Sequence, residues 1–179
     1  YQEPPDEPGE VEEIKRALLK KPEKSTPDLK RGLSTGSTLL NLACSGDPMV
    51  GFLPGHYYFI VGDSASGKTF LSLTCLAEAS LNDNYKTHRF IYDNAEDGAL
   101  MDVYKFFGSG VTGRLETPQK KEPFFSTTIE EFFYNLDDAI KQDAPSIYIL
   151  DSMDALSTDE ESEKFAEQKE AYASGKEAR

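Results

Sequence analysis

The sequence predicts an α/β protein with a mainly parallel sheet covered by helices on both faces. The stretches 57–61, 88–93 and 146–151, each with apolar or aromatic residues at its centre, read as strands. Between them, apolar residues recur at helical spacing behind residue 69, over 97–107 and over 127–140. Alternating strands and helices imply parallel pairing, because a parallel neighbour is reached through a crossover and not through a tight turn. In such sheets ligands sit at the carboxyl ends of the strands, and it is there that this chain places Gly62–Thr69, Asp93–Asp97 and Asp151.

The chain has 179 residues, of which 38% are hydrophobic, enough for one domain with a proper core. Its net charge of -13 and pI near 4.6 argue against broad electrostatic attraction to nucleic acid and leave only a local groove for it. No apolar run reaches the length of a membrane span, and the acidic start lacks the order of a signal peptide. Cys44 and Cys75 make no metal spacing and read as reduced core thiols, so the expectation is a soluble, cytoplasmic protein with no membrane partner. The first residue is Tyr1, so the native start is expected to be removed, processed or left out.

Residues 1–31 read as an N-terminal tail and short helix. Tyr1–Gly9 is rich in Pro, Glu and Asp, and Val11, Ile14, Ala17 and Leu18 then repeat at helical spacing until Pro22. The basic stretch Lys15–Arg31 reads as solvated lysines that suit the helix dipole, with a partner-binding surface as the alternative. The core is expected over 32–157. It opens with Gly32–Ser37, a short helix carrying Leu39, Leu40, Leu42 and Ala43, and a Gly/Pro-rich loop from Gly46 to Gly55. Tyr57–Val61 reads as a strand and His88–Asp93 as the next. Asp97–Phe107 reads as a helix closed by Gly108, and a further strand is expected near Phe124 and Phe125. Thr127 with Glu130 reads as a capping box, opening a helix with the stripe Ile129, Phe132, Phe133, Leu136 and Ile140. Ser146–Asp151 reads as a buried strand ending in a carboxylate. Residues 158–179 are charged, with Phe165 and Tyr172 the only aromatics, and read as an exposed helix or a disordered segment.

The most specific signal is Gly62-Asp63-Ser64-Ala65-Ser66-Gly67-Lys68-Thr69, which fits the phosphate-binding pattern G-x-x-x-x-G-K-T. The bare pattern arises by accident in roughly one chain of this length in a hundred. Here an apolar run precedes it, and Phe70, Leu71, Leu73, Leu76 and Ala77 make a helical stripe behind it. Glycines let successive N–H groups and the following helix N-terminus point at an anion. Lys68 would bridge the terminal phosphates of ATP, and Thr69 would ligate magnesium.

Hydrolysis also needs a metal anchor and a group that activates water. Asp151, at the end of Ser146–Leu150, has the position of the anchor and would hold magnesium, in part through water. Asp93, Glu96 and Asp97 each lie where they could reach the attacking water, and sequence alone does not rank them.

Leu33-Ser34-Thr35-Gly36-Ser37, Leu40-Asn41, Leu53-Pro54-Gly55 and Gly62–Thr69, together with Phe90–Glu96, Ile149-Leu150-Asp151-Ser152 and Ala155-Leu156, closely resemble the RecA/RadA recombinase core. The resemblance spans about 33–157 and looks like a divergent bacterial or bacteriophage member. It implies a RecA-like P-loop NTPase: a DNA-dependent ATPase of recombination and repair, with single-stranded DNA as partner. It also implies a homo-oligomeric filament or ring with ATP at the protomer interface. It favours Glu96 as the general base beside Lys68, although Asp93-Asn94-Ala95-Glu96 is one residue longer than the family's Asp-x-Glu setting. It suggests Asp102 and Tyr104 for adenine, and gives His56 and His88 no role. In that class another strand follows the Asp151 strand and lies between it and the phosphate-loop strand. None is evident after Ser157, so the fold is expected to be incomplete at its C-terminal end.

Two other readings stand beside this one. The first is another RecA-fold ATPase, such as a helicase or a KaiC-like protein. The second is a nucleotide-gated assembly or regulatory protein with little catalysis. A small-molecule kinase is disfavoured, because Arg114 is too isolated to form a basic lid.

Overall fold

The computed structural model describes Lys15, residues 28–96 and residues 101–177, with side chains up to residue 169. The tail and helix expected over 1–31 lie almost wholly outside the described residues, as do Asp97–Leu100.

Helix α1 is Thr38–Ser45, capped by the Ser37 hydroxyl, which accepts from Leu40 N, and closed by Gly46 in the left-handed region. The expected apolar face is not the one it buries. Leu39 and Leu42 are exposed, and the residue turned inward is Asn41, at 2% exposure. Its Oδ1 accepts from Thr35 N and Thr35 Oγ1, while its Nδ2 donates to Ser34 Oγ and to the Pro48 carbonyl. A buried amide costs free energy unless its hydrogen bonds are made; here they tie 34–35 to 48 and fix the fold of the segment before the phosphate-loop motif. A Cβ on Gly36 would come 2.5 Å from Thr74 Cγ2, so the same segment lies close against the next helix.

That helix, α2, is Lys68–Leu81. The sheet is β1 Arg89–Asn94, β2 Leu115–Glu116 and β3 Ser146–Asp151. Its order is β2-β1-β3 and every pairing is parallel. Helix α3 is Val103–Thr112, interrupted at Gly108, whose φ of 72° is non-helical; a closure at Gly108 was expected, and one further turn follows it. Helix α4 is Ile129–Lys141 and α5 is Asp159–Glu177.

Strand alternation divides the interior. Phe90 and Tyr92 of β1, with Ile147 and Ile149 of β3, pack on Leu73 and Leu76 of α2 and Val111 of α3. Phe90, Leu73, Leu76 and Val111 are fully buried, each side chain contributing about 1.5–3 kcal/mol. On the other face, Asp93 and Tyr148 meet Ser126, and the Tyr148 ring packs edge-on against Phe132 of α4 with centroids 5.9 Å apart. Helices therefore pack against both faces, as the alternation predicts.

The amino ends of the strands are stapled together. Arg89 donates to Glu116 and to Gln142, and its N–H donates to the Pro145 carbonyl. The Arg114 guanidinium lies 3.8 Å from the centre of the Phe90 ring and donates to the Tyr85 and His88 carbonyls. Burial, then the nearby Arg114 and Arg31 charges, hold the His88 imidazole below its usual range, so it stays neutral.

Several local expectations are corrected. Tyr57–Val61 makes no ladder with any described residue, and Tyr57, Phe59 and Val61 are exposed. Its composition favours an extended chain, but a strand also needs a neighbour, which local sequence cannot report. Phe124 and Phe125 form no strand; Gln119 N closes a loop onto the Phe124 carbonyl, and the short strand lies at Leu115–Glu116. The cap of α4 is Thr128, which accepts from Glu131 N, while the Glu131 carboxylate accepts from Thr127 N and Oγ1. Phe133 and Ile140 are exposed, and Ala139 takes the buried place in the stripe. A reciprocal capping box does exist at Thr158 and Glu161, and it opens α5. Asp159–Glu177 accordingly forms a helix, exposed over residues 159–169. Cys44 is exposed and only Cys75 is a core thiol.

Candidate functional site

The segment 62–67 is exposed and leads directly into α2, whose first turn has no side-chain cap. Gly67, at φ 89°, occupies the left-handed region that glycine adopts without penalty, and Ala65 is also at positive φ, 57°. A Cβ on Gly62 would lie 2.8 Å from Ser66 Oγ, so the two ends of the turn come close together. Asp63 closes the turn through its carbonyl, which accepts from Ser66 N, and Ser64 lies at its apex. The Lys68 ammonium folds over the loop and donates to the Gly62 and Asp63 carbonyls at 2.9 and 2.8 Å. Unsatisfied N–H groups at the start of a helix, with an ammonium beside them, suit an anion.

Thr69 and Asp151 meet. The Thr69 hydroxyl donates to Asp151 Oδ1 at 3.1 Å, joining the first turn of α2 to the carboxyl end of β3. The geometry follows from register: Asn94 pairs with Asp151 and Tyr92 with Ile149, so the Asp151 side chain falls on the α2 face along with Ile147 and Ile149. On that face the Tyr92 hydroxyl donates to the other oxygen, Oδ2, at 2.7 Å.

Glu96 follows β1 and accepts from Ser152 Oγ at 2.8 Å. Ser152 holds a left-handed φ of 71° immediately after Asp151, which turns its hydroxyl toward Glu96. Lys68, Thr69, Asp151 and Glu96 are thus linked to the same ends of β1, β3 and α2.

The other acids are placed differently. Asp93 is fully buried, its Oδ1 accepting from Ser126 N and its Oδ2 from Ser126 Oγ and Tyr148 Oη. It is committed to the opposite face of the sheet, beside α4. Asp97 lies outside the described residues. Asp102 caps α3, accepting from Lys105 N, and Tyr104 is exposed on the first turn of that helix. Nearby, Phe107 of α3 packs on Phe70 with centroids 5.2 Å apart, which couples α3 to the start of α2.

Among the described residues no group of three His, Cys, Asp or Glu side chains could hold a metal alone. A magnesium ion takes few protein oxygens and completes its shell with water and phosphate, so the pair Thr69 and Asp151 fits that donor set. The surface cleft lined by Asp28, Arg31, Leu53, Pro54 and His56 contains no residue of the loop, and neither does the one lined by Arg89, Glu116, Lys120 and Gln142. Among the described residues no helix is long and apolar enough to cross a membrane.

Sequence reasoning missed Tyr92. Its signal was parity: in a parallel pair it lies on the same side as Asn94, opposite Asp151 in register, but that register appears only once the strands are paired. Compared with known proteins, the chain matches no protein-family model, no curated protein and no solved structure.

Proposed function

We propose that the chain is a RecA-like ATP-binding protein, a DNA-dependent ATPase that acts in recombination and repair. The observation that carries the reading is the meeting of Thr69 and Asp151 at 3.1 Å beside a glycine-bounded loop closed by Lys68. The motif pair is distant in sequence, and its convergence supports one nucleotide site more strongly than either motif alone.

In this reading the N–H groups of 62–69 and the Lys68 ammonium hold the triphosphate charge. Thr69 and Asp151 would hold a magnesium ion, which would supply charge neutralisation on the phosphate oxygens. Glu96, oriented by Ser152, takes a proton from a water that attacks the γ-phosphorus in line. The bond from that phosphorus to the bridging oxygen breaks, giving ADP and phosphate. Exposure of 62–67 supports a second protomer closing over the nucleotide in a filament or ring. The single-stranded DNA partner, the role in recombination and the contact of Tyr104 with adenine rest on the resemblance.

The test is ATP hydrolysis with magnesium, with and without single-stranded DNA, for the chain and for Glu96→Gln. Turnover that rises with DNA and falls about 100-fold or more in the variant is expected. DNA-independent turnover points to a helicase-like or KaiC-like ATPase, and tight binding without turnover points to a regulatory module.

A further inference from the structure

Asp151 is held from two sides. Its Oδ1 accepts from Thr69 of α2 and its Oδ2 from Tyr92 of β1, so donors from two separate elements fix the plane of one carboxylate. Tyr92 is 7% exposed, its ring belongs to the core packed on α2, and its hydroxyl has no other partner among the described hydrogen bonds. A buried hydroxyl without its acceptor would carry a desolvation cost, so the contact constrains both residues.

A carboxylate has about four lone-pair sites. With one given to Thr69 and one to Tyr92, the remaining sites keep a fixed direction, and that suits an acid that accepts from metal-bound water. We propose that Tyr92 is a positioning residue for Asp151, setting the orientation in which that carboxylate serves the magnesium–nucleotide site. The inference rests on the nucleotide reading above and adds to it a residue outside the two nucleotide motifs.

The experiment measures binding of a fluorescent ATP analogue across a magnesium titration and in excess chelator. It is run on the unmodified chain, on Tyr92→Phe, on Asp151→Asn and on the double variant. Absence of magnesium-dependent binding in the unmodified chain sinks the nucleotide reading before the variant is considered. Where that binding is present, Tyr92→Phe should raise the half-saturating magnesium concentration about 10-fold, leave affinity in chelator unchanged, and add nothing further to Asp151→Asn. An unaltered magnesium dependence overturns the proposal, and so does a parallel loss with and without magnesium, which marks packing alone. Should Tyr92→Phe fail to fold, the 13C resonance of the Tyr92 ring carbon bearing the hydroxyl is followed in the unmodified chain. It should shift when magnesium and ATP are added together and stay fixed with ATP alone; no shift overturns the proposal.

Discussion

Thr69 and Asp151 are 82 positions apart in sequence and one hydrogen bond apart in space, with the hydroxyl donating to Oδ1 at 3.1 Å. The contact joins a helix start to a strand end, so it forms only when α2 and β3 are docked. Asp151→Asn should reduce magnesium-dependent turnover about 100-fold while keeping chelator-resistant nucleotide binding. Steady-state kinetics beside equilibrium binding check this, and equal losses in both would assign Asp151 to folding.

Asp93 carries a structural load. Three donors converge on it in a buried setting, from Ser126 N, Ser126 Oγ and Tyr148 Oη. Asp93→Ala should cost about 3 kcal/mol, because those donors lose their acceptor. Urea unfolding measures the loss, and nucleotide binding per folded molecule should be unchanged.

The two thiols should separate cleanly. Burial, then the Glu78 charge, push the Cys75 thiol up to about 12, so at neutral pH it carries almost no thiolate, whereas Cys44 is exposed. One thiol per native chain should react with an aromatic disulfide reagent, and two after denaturation. Fast labelling of both in the native chain would contradict the packing of α2.

Glu131 ties stability to pH. Burial raises its carboxyl, but hydrogen bonds from the Thr127 N–H and hydroxyl and from the Thr128 backbone outweigh it, leaving the group below its ordinary range. The stabilisation is present above the unfolded carboxyl pKa and is lost as pH falls through the lower folded value. Thermal melting from pH 7 down to pH 3 should therefore fall less steeply for Glu131→Gln. Identical acid limbs would remove Glu131 from the cap.

Much of this was legible from the sequence, and the failures share one cause. The runs at 88–93 and 146–151 were readable from their apolar centres, Phe90–Tyr92 and Ile147–Leu150, and they appear at Arg89–Asn94, whose centre is buried, and at Ser146–Asp151, which is only partly buried where a buried strand was expected. The turn at 62–67 was readable because Gly67 takes a left-handed backbone shape that favours glycine. Partnership was not readable. Tyr57–Val61 has strand composition without a described ladder, Leu39 and Leu42 have core composition on an exposed face, and Asn41 is polar at the centre of a buried network. Asp93 and Glu96 are three positions apart and were indistinguishable as candidate bases, yet one turns to Ser126 and the other to Ser152. Only pairing of the strands sets which face each side chain takes.

Arg114 and Arg89 give the sheet a rigid foot. Both guanidiniums are engaged where the strands begin, one over Phe90 and on two carbonyls, the other between Glu116 and Gln142. The opposite rim holds the exposed turn and Glu96. Substitutions at the foot should therefore register as slippage of strand against strand, felt everywhere at once. Those on the exposed turn touch fewer buried partners, so that part of the rim is where new specificity could evolve without unravelling what supports it.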